Sequence, residues 1–261
     1  MLTAYLTGCL AVTVMMALIW LIHLRNDDAT IVDMGWGFGF AMMAAIFIVR
    51  GAGWTQRNIL LLVLLLLWGA RIIFFIFRRM HQEGHEDKRY AMFRRKWGKR
   101  ARMNFFKLFE FQALLQMIVV LPVLCVAFNP RTGLNAWELT AALIFVIGLV
   151  GESITDEQLR TFQNDADNRG KVCRIGLWAY SRHPNYFFEI VIWTAVYLYA
   201  LATPGGWLTV VSPLTIVFII LKITGIPLAE QQSLKSRGEE YRRYQETTSV
   251  LIPLPPKRTN P

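Results

Sequence analysis

The stretch Arg182–Trp193, "RHPNYFFEIVIW", places an arginine, a histidine, an asparagine and a glutamate at the mouth of a run that otherwise belongs in lipid. Pro184 lacks a backbone donor and favours an extended residue before it, so a helix is expected to begin there, with Asn185 and Tyr186 in its first turn. Unpaired amide donors at such a helix start, with Arg182 and Arg174 nearby, make a receptor for phosphate. Glu189 follows Asn185 by one turn and Trp193 follows Glu189 by another, so the three share a face. A carboxylate that far along an apolar run needs a polar partner inside a bundle. The same residues allow a plainer arrangement, in which Arg182 and His183 reach for the headgroups and Glu189 locks two helices.

Three further groups ask for an explanation. In "GESITDEQLRTFQND", Gly151–Asp165, helical phase puts Glu152, Asp156, Leu159 and Gln163 near one face, with Arg160 four residues after Asp156. They line a ligand cavity or form a solvated helix end with local ion pairs. Asp33 stands in "DDATIVDMGWGFGF", where Gly35, Gly37 and Gly39 permit close backbone approach, and Arg71 lies in mid-run in "LWGARIIFFIF". These two either pair across helices or face a cavity, since a lone arginine in mid-span is costly. The tail from Glu230 to Tyr244, including Tyr241, adds polar groups placed to close over a bound anion. His81, His85 and Glu86 lack the HExxH register, and no metal site is read from them.

The elements that must position these groups are helices in a membrane. Of 261 residues 54% are hydrophobic and 18% charged, whereas soluble domains carry roughly a quarter charged residues. Apolar runs near the length that crosses a bilayer recur at Leu2–Leu24, Ile31–Arg50, Asn58–Phe77, Phe111–Phe128, Ala136–Ile154, Tyr186–Ala202 and Leu208–Ala229. The expected fold is an all-α integral membrane bundle of about seven transmembrane helices. The opening "MLTAYLTGCL" has neither the basic start nor the cleavage site of a signal peptide, so the first run is expected to remain as a span.

Charge sets the orientation. Arg78–Lys107 holds eleven Lys and Arg against three acids, Gly151–Asn185 holds five and Lys222 onward seven, while "GAGWTQR", "NPRTGLN" and "TPGGW" are nearly uncharged. By the positive-inside rule the N-terminus lies outside and the C-terminus in the cytoplasm. The net charge of +10 is assigned to topology and to contact with membrane lipid rather than to nucleic acid. Cys9, Cys125 and Cys173 are scattered and form no redox or metal pattern. Residues 1–261 read as one membrane domain, with a basic interfacial loop over 78–110 and a cofactor-binding half over 151–261. No strand is evident and no GxGxxG follows one, which excludes a Rossmann site. A cavity at the cytosolic ends of the last spans suits a large anionic cofactor, and its lipid-facing side suits an apolar co-substrate.

"GLWAYSRHPNYFFE", followed by "SRGEEYRRYQETTSVLIPLPP", resembles the membrane superfamily of steroid 5-alpha-reductases, sterol reductases and isoprenylcysteine carboxyl methyltransferases. With "IVDMGWGFGF", "LWGARI" and "EDKRYAMFRRKWG", the chain is most similar to its small bacterial branch related to steroid 5-alpha-reductase, over about Asp28–Lys257. The resemblance implies NADPH in a cytosol-facing cavity, hydride delivery to a carbon–carbon double bond, and an inner-membrane location. It matches Asn185 and Glu189 to the sixth-helix motif, Asp156 to a cofactor-contacting aspartate, Arg174 to the arginine ahead of the motif and Arg71 to the third-helix arginine. Glu152 stands where the steroid reductases carry asparagine, Val32–Asp33 replaces their Gln-Glu pair, and Trp68 falls near their substrate-polarising tyrosine.

For a lipophilic enone, steroid-like or isoprenoid-like, hydride goes to the beta carbon while a donor stabilises charge on the ketone oxygen. Asp33 is such a donor if protonated, or it orients a tyrosine or water; Tyr186 and Tyr90 are the phenolic candidates. The alternatives are an S-adenosylmethionine-dependent isoprenylcysteine-type methyltransferase, which shares the "RHP" motif, and a transporter or structural membrane protein. A transporter is expected to spread its polar groups through several spans and pair them across a repeat. Here they cluster toward the ends of the later spans.

Overall fold

In lipid each backbone amide must find its partner within the chain, so long apolar runs close as helices. The computed structural model describes residues 1–257, with residue 83 described by its backbone alone. The helices are α1 (Leu2–Asn26), α2 (Ile31–Arg50), α3 (Gln56–Glu83), α4 (Lys88–Trp97), α5 (Ala101–Val119), α6 (Leu121–Ala127), α7 (Ala136–Asn164), α8 (Pro184–Ala200), α9 (Val211–Phe218) and α10 (Ile226–Thr247). Among the described residues the one β feature is an isolated bridge between Ser181 and Ser249. The molecule is an all-α, multi-pass membrane protein.

Five helical stretches are long and apolar enough to cross a membrane, and six if the pair Lys88–Val119 and Leu121–Ala127, bent by 44°, counts as one span. The expected runs depart from this in three places. Pro122 at the start of α6 breaks the expected span Phe111–Phe128, which instead begins at Ala101 and bends. The 17 residues of α8 rise about 26 Å, at the lower limit of lengths that cross a bilayer, so α8 is not among those stretches. The run Leu208–Ala229 is α9 flanked by a 3₁₀ turn and a π turn, interrupted before α10 at Thr224–Gly225. Most of the basic stretch 78–110 is helical, and only Gly84–Asp87 and the Gly98–Arg100 turn interrupt it.

The chain forms two compact units, one of Met1–Ala142 with Val196–Thr215, the other of Leu143–Ala195 with residues 216–257. In the first, α2 and α3 cross at glycines: a methyl on Gly37 would stand 3.0 Å from the Gly69 carbonyl oxygen, and one on Gly69 would stand 2.6 Å from that of Gly37. Small residues let the backbones approach where lipid supplies no hydrophobic drive between helices. The same unit buries Arg57 and Glu138 completely as an ion pair, with Arg57 Nη2 donating to Thr203 at 2.9 Å. In the second, Gly148 and Gly151 on α7 receive Ile192 and Phe188 of α8, which seats α8 closely on α7.

Candidate functional site

The second unit builds its site around the α8 start. Gly176 turns the chain at φ 53° beside Gln158 of α7, whose Oε1 accepts from the Leu177 amide at 3.0 Å. The Trp178 indole donates to the Thr155 carbonyl at 2.9 Å, pinning the next residues onto α7. From the other side, α10 breaks at Gly238, with φ 54° and ψ −122°, a conformation that L side chains rarely adopt. Beyond the break Glu240 accepts from the Val172 amide at 2.9 Å, and before it Arg237 Nε donates to the Lys171 carbonyl at 2.9 Å. The segment past α10 then returns as a strap: the Arg182 amide donates to Ser249 O at 2.8 Å, Ser181 Oγ to Leu251 O at 2.7 Å, and the Leu254 amide to Tyr180 O at 3.0 Å.

These fastenings border an open cavity of about 190 Å³. Arg182, His183, Asn185 and Tyr186 line it from the α8 start, Ser233, Arg237 and Tyr241 from α10, and Gln163 from α7. His183 stacks on Tyr186, with ring centroids 5.5 Å apart and planes at 20°. Asn185 Oδ1 is buried and has no hydrogen-bond donor among the described residues. Burial pushes the Cys173 thiol in the same wall upward, which keeps it protonated and a weak nucleophile at neutral pH.

Arg182 lines the cavity, yet much of its guanidinium is already engaged. Nε donates to Glu230 at 2.7 Å, and Nη1 donates to the Gln245 and Thr248 carbonyls at 2.9 and 2.7 Å. Glu230 also stands 3.4 Å from His183 Nε2 and accepts from Gln245 Nε2 at 2.9 Å. Arg182 therefore acts first as a clamp between the α8 start, α10 and the strap. Sequence reasoning gave Glu230 no role beyond opening the tail, because its partners Arg182 and His183 lie 48 and 47 residues away. Arg237 was not singled out either, and the Gly238 beside it was the available signal.

Of the expected site residues, the cavity gathers Arg182, His183, Asn185, Tyr186 and Tyr241. Glu152 and Asp156 are buried one turn apart in α7, outside its lining. Glu189 accepts from the Trp193 indole at 2.9 Å, as the one-turn spacing anticipates. Arg174 lies over the Tyr244 ring at 5.2 Å, in an open groove with Glu240 and Arg243. Arg160 pairs with the exposed Glu157, its i,i+3 neighbour on α7.

Asp33, Tyr90 and Arg71 belong to the first unit. Of the two arrangements open to Asp33, pairing with Arg71 or facing a cavity, the structure gives it other partners. Asp33 accepts from Arg89 Nη2 at 3.0 Å and from the Tyr90 hydroxyl at 2.6 Å, since α4 folds its first turn against the start of α2. In this arrangement Asp33 orients the Tyr90 hydroxyl. Around it, Asp87 caps α4 by accepting from the Arg89 amide at 2.7 Å and pairs with Arg79. Glu86 accepts from Arg94 at 2.7 Å and from the Ala29 amide at 2.8 Å, and Arg94 reaches Asp27 at 3.0 Å. Burial opposes ionisation of Asp87, but Arg89 and Arg79 outweigh it and hold the carboxyl down at about 2.

The profile of a family described as a protein of unknown function (DUF1295) matches residues 19–248. The sequence is 25% identical over 223 residues to an uncharacterised protein of Schizosaccharomyces pombe, covering 75% of this chain and 64% of that protein. The chain thus spans less than two thirds of that relative's length. No solved structure matches.

Proposed function

The chain belongs to the DUF1295 family, and on that premise we propose that it is a membrane reductase that uses NADPH to saturate a carbon–carbon double bond of a lipophilic enone, steroid-like or isoprenoid-like. The observation that carries the reading is the cavity at the α8 start, where the buried acceptor Asn185 Oδ1 lies in one lining with His183, Arg237 and Tyr241. The resemblance of "RHPNYFFE" and the tail to the steroid reductase and methyltransferase superfamily supports the same reading. In this proposal α8 completes a bundle of about seven spans, with the N-terminus outside and the C-terminus in the cytoplasm of a bacterial inner membrane.

The residues fit one end of such a cofactor. A cavity of about 190 Å³ is smaller than the 300 Å³ or more of whole-ligand pockets, so it seats a ring or a phosphate group and leaves the rest outside. Asn185 Oδ1 would accept from an amide or amino N–H, while Arg237 and His183 would face phosphate oxygens. NADPH supplies a hydride when bound. Of the three tyrosines in the lining, Tyr186 stands at the α8 start beside Asn185 and would polarise the ketone oxygen of the substrate. Arg182 and Glu230 hold the α8 start in place while this happens.

Equilibrium binding to detergent-purified protein tests the proposal. NADPH should bind, and Asn185→Ala and Arg237→Ala should each weaken it roughly tenfold, the loss of one good hydrogen bond. NADPH oxidation with lipidic enones should fall in Tyr186→Phe. Binding of S-adenosylmethionine without NADPH would move the protein to the methyltransferase class and sink the reductase reading.

A further inference from the structure

The first unit divides its cations into two sets. Arg79, Arg89 and Arg94 turn inward and are engaged by Asp87, Asp33, Glu86 and Asp27. Arg95, Lys96, Lys99, Arg100, Arg102 and Lys107 are all exposed, and none pairs with a carboxylate among the described residues. The contrast has a structural cause. The inward set fastens α4 to the α1–α2 connection, so the opposite side of α4 and the turn into α5 is held outward with its charge uncompensated.

The surroundings match the polar boundary of a bilayer. Phe93 and Trp97 stack with ring centroids 5.1 Å apart, and Trp97 meets Phe105 edge-on at 5.0 Å. The Trp20 indole donates to the Arg102 carbonyl at 2.9 Å, tying α1 to the same level. Aromatic rings of this kind mark the headgroup depth of a membrane protein. Met92 and Met103 are exposed beside the cations and offer apolar surface to the upper acyl chains.

We propose that the outward side of α4 and the first turns of α5 form a binding site for anionic phospholipid headgroups, with Arg95, Lys96, Lys99 and Arg100 holding the phosphates. Charge complementarity carries the assignment: several cations without a carboxylate partner stand beside aromatic and exposed methionine side chains, and each basic residue near a charged leaflet adds appreciably to binding. The proposal is independent of the reductase reading.

Native mass spectrometry of the delipidated protein, titrated with phosphatidylglycerol or phosphatidylcholine, tests it. Phosphatidylglycerol should bind at least roughly tenfold more tightly. Replacing Arg95, Lys96, Lys99 and Arg100 together by Gln should erase that preference, whereas Arg242→Gln with Arg243→Gln, exposed cations of α10, should keep it. Should the fourfold variant fail to fold, Arg95→Gln with Lys96→Gln and Lys99→Gln with Arg100→Gln should each lose part of it, and Arg95→Lys with Arg100→Lys should retain it. Equal affinity of the unaltered protein for both lipids overturns the proposal. So does a preference that survives neutralisation, or displacement of the lipid by inorganic phosphate or a short oligonucleotide at equal concentration.

Discussion

Two charge clusters sit at helix ends in this molecule, and they are satisfied in different ways. In the first unit, the carboxylates at positions 27, 33, 86 and 87 meet guanidiniums, a hydroxyl or backbone amides, and the cluster is closed on itself. In the second, Arg182, His183 and Glu230 close a similar circuit, but it borders a cavity in whose wall Asn185 Oδ1 is left without a donor. A closed cluster holds elements together; an open one retains hydrogen-bonding capacity for a ligand. The difference separates groups that stabilise the fold from groups available for binding, although both look alike as polar residues at the ends of apolar runs.

The closed cluster should show the largest stability effects. Asp87→Ala removes a carboxylate that pairs with both Arg79 and Arg89, together with the α4 cap, and should cost about 3 kcal/mol in the unfolding of detergent-purified protein. The carboxyl is held below its unfolded value of about 3.9, so its contribution is present above that pH and is lost as pH falls toward about 2. An Asp87→Asn variant should flatten stability between pH 4 and pH 2 relative to the unaltered protein. A loss no larger than that of an exposed ion pair would show that the cluster is an ornament of the surface and not a fastening.

Glu230→Ala is the matching change in the second unit. It leaves Arg182 and His183 without their carboxylate, but side-chain exposures of 11% and 18% for Arg182 and Glu230 let water in, so about 2 kcal/mol is expected. The same variant should loosen the strap, read as faster amide exchange at Arg182 and Leu254. Gly238→Ala follows at about 1 kcal/mol: nothing lies within 4 Å of the added methyl, so the cost is backbone strain at φ 54°. If Gly238→Ala were neutral, the break in α10 would not be what aims Arg237 and Tyr241.

The long spans were legible because they depend only on local composition: α1, α2, α3 and α7 follow the expected runs, with α3 and α7 extended at their C-terminal ends. The bend at Pro122 was not, because composition alone reads the apolar run as continuous across the proline; α8, by contrast, begins at Pro184 as the sequence predicts and keeps the 17-residue length of its expected run. The site was legible where spacing is within one or two turns, as in the Glu189–Trp193 hydrogen bond and the common wall of Arg182, His183, Asn185 and Tyr186. It was illegible where partners are distant in sequence. Asp33 meets Arg89 and Tyr90, 56 and 57 residues away.

The smallest stability change should come from Asn185→Ala, and that smallness is the sharpest test of the comparison. Removing a side chain whose acceptor is already unpaired takes away no hydrogen bond to that oxygen, and a half-buried residue at a helix start bordering a cavity leaves little void. Unfolding should therefore shift by no more than about 0.5 kcal/mol, the range of substitutions that touch no fastening. Asp87 and Glu86 of the closed cluster should not behave this way, because their carboxylate oxygens bind other parts of the chain. A loss of several kcal/mol in Asn185→Ala would place Asn185 among the fastenings. A near-neutral result alongside weakened NADPH binding would mark it as a group whose partner comes from outside the chain.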